Sequence, residues 1–475
     1  MNDNFENYSE EEINELVDKF EQKIKFNQSY FFDVEEYEML IDYYIDNENI
    51  PYTNQLIQHA VSQHPDSIGI LLKKAQLYAY ADNTEKALEI LAKLESMDPD
   101  NSDVFFTKGA IYSQLKRYEK AIEEYHKAIT RTEELDEVYI NIAFEYENLG
   151  NYEKAIEYLK KALEISPENE MVLYELAMSF DFAQRSEESI GFFQNYLNDN
   201  PYSYVGWINL GTAFNSQGLN EKAIEAFDYA LAIDEINSSA YYSKAATYIG
   251  MEEYVKAIDV YNEVLLLDNN FAIPYYYIGE CYEKMEDFNA AIDYHTRSIK
   301  HDEYFSDAWL GRGISFYELK KIPQSINDIK KAISLNEDNA EYQLILAEIL
   351  HKEKMEGASE IYKKVLKEDP SNTDAWLDYS DSFRDDGDLE TAIEIISNGL
   401  KAMPKNVELY YRLAAYQLLN REVKTAYITI AVALEIDAEP LSDFFDYISE
   451  LKLEAYFIEI IEQFKNDIEN KNKSN

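Results

Sequence analysis

The side chains best suited to nucleophilic or metal chemistry are one cysteine, Cys281, and six histidines, His59, His64, His126, His295, His301 and His351. A transition-metal site needs several ligands converging at fixed spacing, and these histidines are scattered, with no HExxH or CxxC pattern. The acidic run from Asp98 lacks the glycine and the closing glutamate of a calcium loop. The GRG at Gly311 to Gly313 has no lysine motif after it, so it does not cradle phosphate. Cys281 reads as a small core residue, and carboxylates are so numerous that pairs of them select nothing. No catalytic residue, cofactor or metal is expected, and the chain is read as a non-enzyme.

What any functional side chain must be mounted on is a repeat. YEKAIEEYHKAI begins at Tyr118 and YEKAIEYLKKAL at Tyr152, 34 residues on. In steps of 34 come Ala87, Ala121, Ala155, Ser189, Ala223, Ala257, Ala291 and Ser325. A second small-residue series includes Ala128, Ala162 and Ala230, and a third runs Ala75, Gly109, Ala143, Ala177, Gly211, Ala245, Gly279, Gly313 and Ala347. Repetition at this period marks stacked helical units rather than separate globular domains. Twelve units begin near Val34, Ile68, Ser102, Asp136, Glu170, Tyr204, Ser238, Ala272, Ser306, Ala340, Thr373 and Val407. The unit from Ala340 is one residue short: its small residue, Ala358, comes one place early, so its first turn has lost a residue.

Within a unit, Trp207, Leu210, Gly211 and Phe214 have helical spacing, as do Ala223, Ile224, Phe227, Ala230 and Leu231. Between the two halves falls a turn, with Gly150, Gly218 and Gly387 at equivalent places. Pro65, Pro99, Pro167, Pro201, Pro370 and Pro404 close units, because proline cannot continue the helical hydrogen-bond ladder. No convincing period-two alternation occurs, so no sheet is expected.

The pattern Trp207, Leu210, Gly211, Phe214, Ala223, Phe227, Ala230, with Trp309 and Trp376 in register with Trp207, resembles the tetratricopeptide repeat. The whole arrangement is similar to bacterial cytoplasmic proteins built of many such repeats. The resemblance implies an all-α, right-handed superhelical solenoid of about twelve 34-residue antiparallel helix pairs with helical caps at both ends. On this reading residues 1–33 hold an acidic capping helix (Glu10 to Phe26), residues 34–440 the tandem units, and residues 441–475 a capping helix pair (Phe444, Phe445, Ile448, Phe457, Ile460, Ile461, Phe464) and a disordered tail. The acidic start has no signal-peptide character and no apolar run reaches ~20 residues, so a cytoplasmic location is expected.

In this family, positions two, five, six, nine, twelve and thirteen of the first helices usually face a ligand in a concave groove. Here those positions hold Tyr174, Met178, Phe182, Ile208, Tyr242, Tyr276 and Tyr277, then Glu341, Glu348, Asp374, Asp378, Asp381 and Glu408 with Arg384 and Arg412 interspersed. Packing alone could also explain the tyrosines. The formal charge of −49 argues against nucleic acid and anionic membranes, which both attract basic surfaces. The expected function is a protein-interaction scaffold binding basic or basic-apolar segments of other proteins in an acidic, aromatic-rich groove. A self-assembling structural protein, or a regulator of an enzyme partner, stands as the alternative. No three consecutive units carry the lysine and asparagine set of the family's chaperone-tail binders.

Overall fold

A computed structural model describes residues 10–26, 30–47, 49–81, 83–132, 135–267 and 272–436. Among them every regular element is a helix. The segment expected to cap the C-terminal end lies outside the described residues. The chain divides into two compact units between Thr247 and Tyr248.

The first unit opens with α1 (Glu10–Lys25), which buries Leu16, Val17 and Phe20. Helix pairs follow: α2 (Val34–Asp46) and α3 (Ile50–Gln63), α4 (Ile68–Tyr80) and α5 (Thr84–Met97), α6 (Ser102–Gln114) and α7 (Tyr118–Ile129). Then come α8 (Leu135–Asn148) and α9 (Tyr152–Ile165), α10 (Glu170–Phe182) and α11 (Ser186–Asp199), α12 (Tyr204–Ser216) and α13 (Asn220–Ile233). The division falls inside α14 (Ser238–Gly250). The second unit holds α15 (Tyr254–Leu267), α16 (Ala272–Lys284) and α17 (Phe288–His301), α18 (Ser306–Glu318) and α19 (Ile322–Leu335). It continues with α20 (Ala340–Lys352) and α21 (Ala358–Glu368), α22 (Thr373–Asp385) and α23 (Leu389–Ala402), α24 (Val407–Leu419) and α25 (Val423–Ile436).

Recurrent local chemistry builds many of the pairs. The residue before a first helix accepts a hydrogen bond from a backbone N–H of the first turn, as Asp33, Ser67, Asn101, Asn169, Ser203, Asn339, Asn372 and Asn406 all do. In several units the side chain three residues into the helix donates back to the carbonyl six residues earlier. Trp207 reaches Pro201 (2.9 Å), Trp309 reaches Glu303 (2.9 Å) and Trp376 reaches Pro370 (3.0 Å). The ring packs while its N–H satisfies the loop that joins two repeats. Small residues let the two helices touch: a Cβ on Gly109 would sit 2.5 Å from the Tyr125 ring, and one on Gly211 2.5 Å from Phe227.

The short unit departs from expectation in where it loses its residue. The first helix, α20, keeps its full first turn, and the loss falls after it. There Gly357 takes a φ of 111° and α21 starts late, with 11 residues.

Candidate binding faces of the first helices

The residues expected to line one track are divided between the two units. In the first unit Tyr174 is half-buried, while Met178 and Phe182 are 52% and 59% exposed on α10. Phe182 stacks on Tyr152 of α9, with ring centroids 5.0 Å apart. Tyr242 is half-buried.

Ile208 corrects the expectation. It is 3% exposed and belongs to the apolar core formed with Leu173, Leu176, Val205 and Leu210. The reason is general to this chain: Leu72, Ile140, Leu344, Leu377 and Tyr411 share its place in their units, and all are buried. The fifth position is mostly a packing position, and Glu38, Phe106, Tyr174, Tyr242, Tyr276 and Leu310 are half-buried there.

In the second unit two clusters form. On α16, the Tyr276 hydroxyl donates to Glu280 Oε1 at 2.8 Å, and its ring packs on Tyr277, Phe305 and His295. Tyr277 stacks on Tyr261 of α15. Burial, with Glu280 beside it, holds the Tyr276 hydroxyl well above the ordinary tyrosine range. Burial likewise pushes the Glu280 carboxyl up, aided by Glu283 and opposed by the Tyr276 hydrogen bond. Glu283 accepts from Ser315 Oγ at 2.6 Å and lies 3.2 Å from Nε2 of the fully buried His295. Sequence reasoning missed Glu280, Glu283, His295 and Ser315. The available signal was His295 itself, which takes the place that Tyr125, Phe227, Tyr261 and Ile329 fill in other units.

The second cluster lies on α22 and its neighbours. Asp381 pairs with Arg412 and Arg384 and accepts from the Tyr416 hydroxyl. Asp378 is pushed up to about 6, first by burial and then by Glu348, Asp381 and Asp374, with Arg412 pulling the other way. Here the structure brings together Glu348, Asp374, Asp378 and Asp381. Glu341 and Glu408 are exposed in the first turns of α20 and α24, where a carboxylate also complements the helix dipole.

Several of the groups considered for chemistry have structural partners. Cys281 is buried, and burial pushes its thiol up to about 12, far from a reactive thiolate. His59 bonds Tyr37, His64 bonds the Phe32 carbonyl and His301 stacks on Tyr275. Among the described residues no group of three or more potential ligands is placed to hold a metal, and no helix is long and apolar enough to cross a membrane.

Two tetratricopeptide repeat profiles match the chain, one over residues 137–169 and the other over residues 102–134 and 238–271. The chain is a tetratricopeptide repeat protein. A further family, the PRP39 N-terminal HAT repeat, matches residues 327–434. The human interferon-induced protein with tetratricopeptide repeats 2 is 30% identical over 124 residues, which span 23% of this chain and 26% of that relative's length. Among solved structures, the Cut9–Hcn1 hetero-tetramer of the APC/C is matched at 14% identity and a TM-score of 0.34, over 88% of this chain and 90% of that one. Naa15/Naa10 bound to HypK-THB is matched at 15% identity and a TM-score of 0.34, over 83% and 67%.

Proposed function

We propose that this tetratricopeptide repeat protein is a non-catalytic scaffold that holds basic segments of partner polypeptides on the first helices of its second unit. The observation that carries this reading is the crowding of Glu348, Asp374, Asp378 and Asp381 on one face, with Arg384 and Arg412 drawn to Asp381. The arginines pair with Asp381 and Lys352 pairs with Glu348, and the carboxylates around the partly buried Asp378 still push its own carboxyl up. A lysine or arginine from a partner relieves that repulsion, and the gain is larger than at a fully solvated carboxylate because Asp378 is partly desolvated. Tyr276 and Tyr277 on α16 add rigid, amphipathic contact area of the kind that anchors interfaces.

The test is affinity capture with the full chain and with a Glu348→Gln, Asp374→Asn, Asp378→Asn variant, washed at low and at high salt. Polypeptides held by the wild type, absent from the variant and released by salt support the reading. Identical captured sets overturn it.

A further inference from the structure

The second helices α17, α19 and α23 each run for 14 residues, but α21 has 11. It ends in register with them, so what it lacks is its first turn. One residue is missing from the sequence there, and Glu356 and Gly357 do not join the helix. Gly357, at the N-cap, has no side chain to accept from the N–H groups of the first turn. The α20–α21 hairpin is open at this end. Ala358 is half-buried, whereas its register counterparts in other repeats of the second unit, Ala291, Ser325, Ala392 and Ala426, are all 0% exposed. A solvent-open cleft lies where the end of α20, the start of α21 and the end of α22 meet, lined by His351, Met355, Ser359 and Asp386.

Consecutive first helices of the second unit are tied by hydroxyl groups. Ser315 of α18 donates to Glu283 of α16 at 2.6 Å, and the Tyr342 hydroxyl of α20 bonds Asp307 and Ser306 of α18. Ser380 of α22 meets the Tyr416 hydroxyl of α24 at 2.8 Å. Between α20 and α22 it is like charge that meets, Glu348 acting on Asp378. Beneath lies an apolar contact of Leu344, Ala347, Tyr362, Ala375 and Tyr379. Apolar contact is non-directional, so it tolerates tilting that a hydrogen bond resists.

We propose that the second unit hinges at this short repeat, with α20 and the helices before it tilting against α21, α22 and the helices after them. The missing turn removes the brace between α20 and α21 at one end of their hairpin. Left-handed backbone at Lys354 (φ 53°) and Gly357 (φ 111°) concentrates the bend in a few residues at the ends of two helices, where hinges belong. Repulsion between Glu348 and Asp378 favours the tilted form. The inference does not depend on the basic-segment reading, but it bears on it. Glu348 stands on one side of the hinge and Asp374, Asp378 and Asp381 on the other, so the hinge angle sets the spacing of the acidic face.

Hydrogen exchange on the full chain tests the hinge. The amides of residues 362–366 in α21 should exchange faster than their register counterparts, 329–333 in α19 and 396–400 in α23. Inserting one alanine after Gly357, together with Gly357→Ala, restores the 34-residue spacing and should slow exchange in α21 about tenfold. Asp378→Asn leaves the turn as it is and removes like charge, and should slow it by a smaller factor. Nitroxide labels at the exposed positions Lys330→Cys and Glu394→Cys read the motion itself, since Cys281 is buried. The distance distribution between them should be broad and should narrow in the repaired chain. Equal exchange in the three helices, or a distribution that repair leaves unchanged, overturns the hinge. Should the repaired chain not fold, Asp378→Asn decides: no change in exchange or distribution overturns it as well. An oligolysine peptide separates the two readings. A broad distribution that the peptide leaves broad upholds the hinge and counts against basic-segment binding at this face, while a distribution that is narrow from the start overturns the hinge whether or not the peptide binds.

Discussion

Ser315 Oγ donates to Glu283 Oε1 across 2.6 Å, and Ser179 Oγ donates to Glu147 Oε1 across the same distance. In both cases the serine stands 32 residues after the glutamate and on the next first helix. The pairing gives a partly buried carboxylate a donor and ties one repeat to its neighbour. Burial pushes Glu147 up and the Ser179 bond pulls it down. Ser179→Ala should lower stability by about 1 kcal/mol, the usual net value of such a bond. Ser315→Ala should cost less, because Glu283 keeps His295. Urea unfolding of both variants checks this, and a larger loss for Ser315→Ala would contradict it.

The turn between paired helices takes a left-handed conformation at one fixed place. Gly150, Gly218 and Gly387 occupy it in three units, but Lys116, Gln184, Glu252, Glu286, Lys320, Lys354 and Arg421 occupy it elsewhere with φ between 53° and 64°. These seven side chains are exposed, and the backbone cost of positive φ is the main term at Glu286, whereas Lys320 also lies over the Tyr317 ring. Glu286→Gly should stabilise by about 0.5–1 kcal/mol, net of the extra freedom glycine gives the unfolded chain, and Lys320→Gly by less, because it also gives up the contact with Tyr317. Gly218→Ala should move stability the other way. Thermal unfolding midpoints decide the sign.

Asp378 should make the second unit less stable as pH rises. Its carboxyl is raised to about 6 in the folded chain from the usual 3.8, so between these values the native state binds more protons than the unfolded one. Its contribution is destabilising above about pH 6 and vanishes below about pH 4. Asp378→Asn should therefore stabilise at pH 7.5, by about 1 kcal/mol once solvent screening is allowed for, and make no difference at pH 3.5. Unfolding of the variant and the wild type at both pH values reads this directly.

The fold was legible because its determinants recur at one period. The tryptophans at 207, 309 and 376, the glycines facing Tyr125 and Phe227, and the closing prolines each act within a single repeat or between neighbours. A 34-residue register therefore places them without any long-range information. The binding faces were less legible. Ile208 was expected at a surface by analogy of position, yet whether the fifth place of a first helix is open depends on how closely the next repeat packs, and here it packs tightly. Asp378 lies within α22, but its crowding with Glu348 comes from a neighbouring repeat and has no sequence signature. His295 stood out only as a polar residue where other units carry rings or aliphatic groups.

The central claim, that this scaffold selects basic polypeptide segments, is tested most directly by selection from a random peptide library displayed against the immobilised full-length protein at physiological salt. The account expects the enriched peptides to carry lysine or arginine beside apolar anchors, and to lose binding to the Glu348→Gln, Asp374→Asn, Asp378→Asn variant. Enrichment of acidic or uncharged peptides, or of peptides indifferent to these substitutions, would contradict it.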